Sequence, residues 1–215
     1  MVGEFTRPWL LFDLGGVLEV VDDDAWPQQL WKSWAVRMGT RAEDLRERCR
    51  AADLPRTDIQ AGTQQDYWRR LGGSLGVGGV ALRQMREEFW DSYCGAPNDE
   101  LIAYVRGLQD RAGLAILSNS ADGAREQEER RFGLSTVFHP ICYSHEQGVN
   151  KPDPRAYRRA LARMGAGPEA VFFIDDHIEN VDAAAACGID GVLHRSNGDT
   201  IAAIERFLAS SEREL

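Results

Sequence analysis

The chain has 215 residues, 43% hydrophobic and 27% charged, so it can bury one α/β core with an insertion or two small domains and is too apolar for a disordered chain. Its net charge of −9 argues against a nucleic-acid surface, which needs clustered lysine and arginine, but leaves open a small phosphate-bearing ligand, whose recognition is local. No run approaches the roughly eighteen apolar residues of a membrane span, residues 1–8 lack the apolar core of a signal peptide, and Cys49, Cys94, Cys142 and Cys187 make no ligand pattern; the expectation is a cytoplasmic protein with reduced thiols.

The first element is the run Trp9, Leu10, Leu11, Phe12, which stops at Asp13 and is followed by Leu14, Gly15 and Gly16. Bulky apolar residues without alternation fit a strand buried on both faces of a parallel sheet, and a carboxylate there has to be presented at the strand's open end. From 24 to 95 the pattern is helical only, with helices expected over 25–38, 41–52, 63–71 and 80–93. Seventy helical residues exceed what a βαβ crossover needs and read as an inserted subdomain. A helix over 99–111 capped by Gly113, a strand Leu114, Ala115, Ile116, Leu117 ending on Ser118, Asn119 and Ser120, and a helix over 121–131 capped by Ser120 come next. A short strand over 140–143 precedes Lys151, Pro152, Asp153 and Pro154, where Asp153 can cap a helix opening on Pro154 and so fix Lys151 at its mouth. The strand Val171, Phe172, Phe173, Ile174 ends on Asp175 and Asp176, and a helix over 180–187, a strand over 191–194 and a helix over 200–209 close the chain. The alternation predicts an α/β fold, a doubly wound parallel sheet, with a core over 1–18 and 96–215 and a helical cap over 19–95.

Three apolar runs that each end in hydroxyl, amide or carboxylate groups should converge, because ligands of open α/β sheets bind beyond the carboxyl ends of the strands. Each residue alone has a duller reading as a turn former, cap or solvated charge; the ordered set does not.

In this order the motifs Phe12-Asp13-Leu14-Gly15-Gly16-Val17-Leu18, Leu117-Ser118-Asn119, Asn150-Lys151-Pro152 and Ile174-Asp175-Asp176 with Asn180 resemble those of the haloacid dehalogenase superfamily. The resemblance is to its phosphatase branch with an inserted helical cap, near the phosphatase domain of soluble epoxide hydrolase and a sugar-1-phosphate phosphatase. It implies a Rossmann-like core and a phosphomonoester hydrolase in which Asp13 is the nucleophile, forming an aspartyl-phosphate. It also implies Mg²⁺ held by Asp13, Asp176, Asp175 directly or through water, and a backbone carbonyl of Leu14 or Gly15, which by similarity is Gly15. Lys151 would neutralise Asp13 and the phosphoryl group, while Ser118, Asn119 and the Gly16 amide hold phosphoryl oxygens.

The branch usually carries a second aspartate where this chain has Gly15. Three readings follow: a substrate with a good leaving group, a proton donor elsewhere (Glu19, Asp22, Asp23, His145 or His177), or a weak catalyst that serves as a ligand- or protein-binding module. A carbon–halogen hydrolase using the same Asp13 is the alternative enzyme. Trp26, Trp31, Trp34, Trp68 and Trp90 fall in the insertion and are expected to fill its core, the alternative being that one or two face the cleft. The expected partner is a small phosphorylated substrate, with no nucleic acid or membrane, for a monomer or homodimer.

Overall fold

The computed structural model describes residues 7–22 and 24–212. In chain order its elements are β1 (Trp9–Phe12), β2 (Glu19–Val20), α1 (Trp26–Arg37), α2 (Ala42–Ala51), α3 (Gln64–Leu75), α4 (Gly79–Cys94), β3 (Ala96–Pro97) and α5 (Asp99–Arg106). There follow β4 (Gly113–Ser118), α6 (Ala124–Phe132), β5 (Ile141–Tyr143), α7 (Ser144–Gln147), α8 (Pro154–Met164), β6 (Val171–Asp175), α9 (Ile178–Ala186), β7 (Asp190–Leu193) and α10 (Asn197–Ser211).

Five parallel strands lie in the order β5-β4-β1-β6-β7. The central strand is the apolar run at the start of the chain, and its alternating side chains supply two cores. Leu10 and Phe12 join Leu114, Ile116, Phe172 and Ile174 beneath Leu101, Val105, Ile204 and Leu208 of α5 and α10. Leu11 joins Ala115, Leu117 and Phe173 on the other face, beneath Ala156, Tyr157 and Ala160 of α8 and Ala184 of α9. Burying each large side chain of β1 contributes about 1.5–3 kcal/mol. From β1 the chain winds outward to β4 and β5, then returns to build β6 and β7 on the other side, so the winding reverses at β1 and the carboxyl end of β1 is the crevice of the sheet.

Between β2 and β3, paired antiparallel, lie α1 to α4 with their own apolar cluster, including Leu30, Trp34, Leu45, Trp68, Leu71 and Met85. Trp90 instead packs into the main core, and Trp26 sits edge-on to Phe89. The β2–β3 pair and α7 have no counterpart in the sequence reading, being too short to carry a period.

Several expected boundaries move. Helix α5 stops at Arg106, and Gly113 is the first residue of β4, paired with Trp9 and lying against its indole, where a Cβ would not fit. Helix α6 starts at Ala124 because Gly123 takes φ +101, and Ser120 is not its cap: its N–H is held by Ser144 Oγ at 2.8 Å and its hydroxyl lies 2.7 Å from His145 Nδ1. Helices α9 and α10 begin earlier than expected, α10 because Ser196 caps it by accepting from Asp199 N. Asp153 caps α8 as expected, accepting from Arg155 N at 2.9 Å.

Candidate active site

Strand ends bring the residues together. The Asp13 N–H donates to Ile174 O at 2.8 Å, extending the ladder of β1 and β6 by one bond, and the next residue turns away, Leu14 N donating to Asp13 Oδ1 at 2.7 Å. Asp13 is more enclosed than an open strand end suggests: it is buried, and it lines a cavity of about 480 Å³. Gly15, Ser118, Asn119 and Lys151 line the same cavity.

Lys151 Nζ lies 2.7 Å from Asp13 Oδ1 and 2.7 Å from Asp175 Oδ2. Its backbone is clamped by Asn119, which accepts from Lys151 N at 2.7 Å and donates through Nδ2 to Lys151 O at 3.0 Å. The amide of Asn119 therefore locates the lysine, a duty that a contact across 32 residues leaves invisible in the sequence. Burial alone would strip the proton from Lys151, but the two carboxylates raise its affinity and keep it an ammonium.

The two adjacent aspartates separate. Asp175 is fully buried, its oxygens taken by Lys151 Nζ, by His177 N at 2.8 Å and by Asn180 Nδ2 at 3.0 and 3.1 Å. Burial would raise its pKa, but the charge of Lys151 and these hydrogen bonds outweigh it and hold the carboxyl below the ordinary range. Asp176 is partly open, with His177 Nδ1 2.8 Å from its Oδ1 and its other oxygen against the Gly16 backbone. A Cβ on Gly16 would overlap that carboxylate, and its φ of +72 also disfavours a side chain. Burial pushes the Asp13 carboxyl up to about 8, with the charge of Asp175 adding and Lys151 opposing. Asp13 and Asp175 thus set two carboxyl groups around one ammonium, with a third, Asp176, beside the same loop.

Among the other candidates, Glu19 and His177 line the cavity. Asp22 instead accepts from Ala25 N at 2.9 Å, and His145 is buried against Ser120 with its pKa lowered by burial; neither lines the cavity, and Asp23 lies outside the described residues. Among the described residues no tryptophan lines it; Tyr93 of α4 does, with Glu128 and Glu179. Sequence reasoning passed over Glu128 because it stands in the polar run Gln127-Glu128-Glu129-Arg130-Arg131, which looks like a solvated face. The available signal was its spacing of one helical turn from Ala124.

Among curated proteins, the chain is 33% identical over 88 residues to a phosphoserine phosphatase of Thermus thermophilus, 40% of this chain and 34% of that one. It is 30% identical over 101 residues to a phosphorylated carbohydrates phosphatase of Thermotoga maritima, 46% of each. The chain thus spans a third to just under half of the length of these relatives. A haloacid dehalogenase family enzyme of Bacteroides thetaiotaomicron, solved with magnesium and inorganic phosphate, superposes with a TM-score of 0.68 at 21% identity over 88% of this chain and 95% of that one, which shows a shared fold. The family model of the haloacid dehalogenase-like hydrolases matches residues 9–188, from the first residue of β1 to the turn after α9. That span takes in every strand end that converges on Asp13, and the chain belongs to the haloacid dehalogenase-like hydrolases.

Proposed function

We propose that this hydrolase is a Mg²⁺-dependent phosphatase of a small phosphorylated metabolite, sugar phosphates among them, acting through an aspartyl-phosphate on Asp13. The observation that carries the reading is the ammonium of Lys151, 2.7 Å from both Asp13 and Asp175 at the floor of the cavity. Leu14 N and Lys151 Nζ both engage Asp13 Oδ1, and among the described residues no hydrogen bond falls on Oδ2, which is the oxygen to attack phosphorus. Lys151, Ser118 and neighbouring amides then meet the phosphoryl oxygens, and the helices of the insertion act as a cap that limits water.

The residues present suit a hard divalent cation. Asp175, Asp176 and His177 bring ligand atoms within 4.8 Å of one another; Asp13 and the Gly15 carbonyl would add oxygens from the strand end, Asp176 abuts their loop because Gly16 lacks a side chain, and Asp175 also braces Lys151. Bound there, Mg²⁺ would offset the repulsion between a carboxylate nucleophile and an anionic substrate. Further support comes from the phosphatase names of both curated relatives and the magnesium and phosphate of the structural neighbour. Displacement of a halide from carbon by Asp13 would not need the acidic pair Asp175 and Asp176, which favours phosphoryl transfer.

The test is phosphate release from sugar phosphates, nucleotides and aryl phosphates, with and without Mg²⁺. Turnover should need the metal and fall to background in Asp13→Asn; release that persists in a chelator overturns the proposal.

A further inference from the structure

The cavity around Asp13 has a second acidic wall that the mechanism above leaves idle. Glu128, on α6, is only 1% exposed, yet it lines the cavity together with Glu19 and Tyr93. It projects from the inward face of its helix, one turn beyond the buried Ala124. Tyr143 of β5 donates its hydroxyl to Glu128 Oε2, and among the described residues no hydrogen bond falls on Oε1. Such a carboxyl is anchored at one oxygen and belongs to a residue on the cavity wall. Burial pushes its pKa up to about 8; the Tyr143 hydroxyl and Arg125 oppose the shift, and the charge of Asp13 adds to it. A carboxyl raised in this way can hold a proton near neutral pH and give it up to a stronger base.

We propose that Glu128 is the proton donor and acceptor on the leaving-group side of Asp13, filling the role for which Gly15 offers no side chain. This rests on the phosphatase reading. As the bond from Asp13 Oδ2 to phosphorus forms, the ester P–O bond breaks and the Glu128 proton passes to the departing alkoxide, releasing an alcohol. Water then attacks phosphorus and gives one proton to the Glu128 carboxylate while the bond from phosphorus to Asp13 breaks. Both carboxyl groups return to their starting states, and the sum is ester plus water giving alcohol plus phosphate.

The experiment compares kcat/KM on 4-nitrophenyl phosphate, whose leaving group needs no proton, with that on glycerol phosphate, whose alkoxide does. General acid help is worth about a hundredfold to ten-thousandfold, so Glu128→Gln should lose about that much on glycerol phosphate and less than about threefold on 4-nitrophenyl phosphate. Retained turnover of the aryl ester also reports a folded site. Equal losses on both esters, no loss on either, or the selective loss arising in Glu19→Gln instead would each overturn the assignment.

A second measurement needs no variant. In the wild type the ratio of alkyl to aryl kcat/KM should fall as pH rises through about 8, and a flat ratio overturns the proposal. Among the described residues, Tyr143, Arg125, Asp13, Tyr93 and Cys94 are titratable or charged groups that interact with Glu128, and Glu19 shares its cavity. The ratio cancels any titration of theirs that affects both esters alike. Absence of phosphate release from either ester by the wild type would instead overturn the phosphatase reading, and this assignment with it.

Discussion

Ion pairs occur at both ends of this molecule and do different things there. At the sheet's crevice, Lys151, Asp13 and Asp175 have side chains 1%, 11% and 0% exposed and meet at 2.7 Å. On the helical insertion, Arg41 and Asp44 also meet at 2.7 Å, but their side chains are 77% and 38% exposed. The distance is the same and the surroundings are not. In water an ion pair gains little over its solvated partners, whereas a buried group that loses its partner is left with an uncompensated desolvation penalty. The crevice therefore depends on every member of its set, and the insertion's surface does not depend on any one pair.

The largest effect should come from Lys151→Met, which leaves Asp13 and Asp175 buried together without a cation. Breaking a buried pair in this way costs about 3–5 kcal/mol, read as a lower urea midpoint, and phosphate release should vanish as well. Adding Asp13→Asn removes one of the two carboxyl groups left crowded together there and should restore part of the lost stability, a coupling between contacting residues that a double-mutant cycle measures. A midpoint close to wild type for Lys151→Met alone would mean that burial is not what distinguishes the two regions.

The same contrast explains what could be read from the chain. Strands β1, β4 and β6 were legible because burial on both faces leaves continuous apolar runs, and their polar ends marked the crevice. Asp13, Lys151, Ser118 and Asp175 stand at those ends or at a Pro-marked helix mouth, so their convergence followed from topology. The duties of Asn119 and Asn180 did not, since each holds its partner by contacts that no local pattern records. Glu128 was hidden because a buried carboxylate inside a charged run has the same letters as a solvated one. The start of α6 was missed for a backbone reason: Gly123 adopts a left-handed φ beside the Gln64 amide, with no room there for a Cβ.

An intermediate effect is expected where insertion and core meet. Helix α3 has no side-chain cap of its own; Asp122 supplies one from the core, accepting from Thr63 N at 2.7 Å and Gln64 N at 2.6 Å. Gln64 Nε2 returns a bond to Asp122 O at 3.1 Å, and Thr57 O accepts from Asp122 N at 2.8 Å. Loss of a capping side chain costs about 0.5–2 kcal/mol. Asp122→Ala should lower the urea midpoint by that order and speed amide exchange over 57–67, while protection of β1, β4 and β6 stays as in wild type. Uniform loss of protection would mean that the clasp supports the sheet as well as the insertion.

The smallest effect belongs to Arg41→Ala. Arg41 grips Asp44 through Nη2 at 2.7 Å and Nε at 3.1 Å, a two-pronged geometry. Asp44 lies in the first turn of α2, where the helix N-terminus favours its charge whether or not the guanidinium is present. With both groups open to water, the pair replaces hydration that either can recover when the other is removed. The urea midpoint of Arg41→Ala in moderate salt should therefore match wild type within error. A clear drop would show that short contact distance, rather than exclusion of water, sets the worth of a charge pair in this protein, and the argument separating its two regions would fail at the insertion.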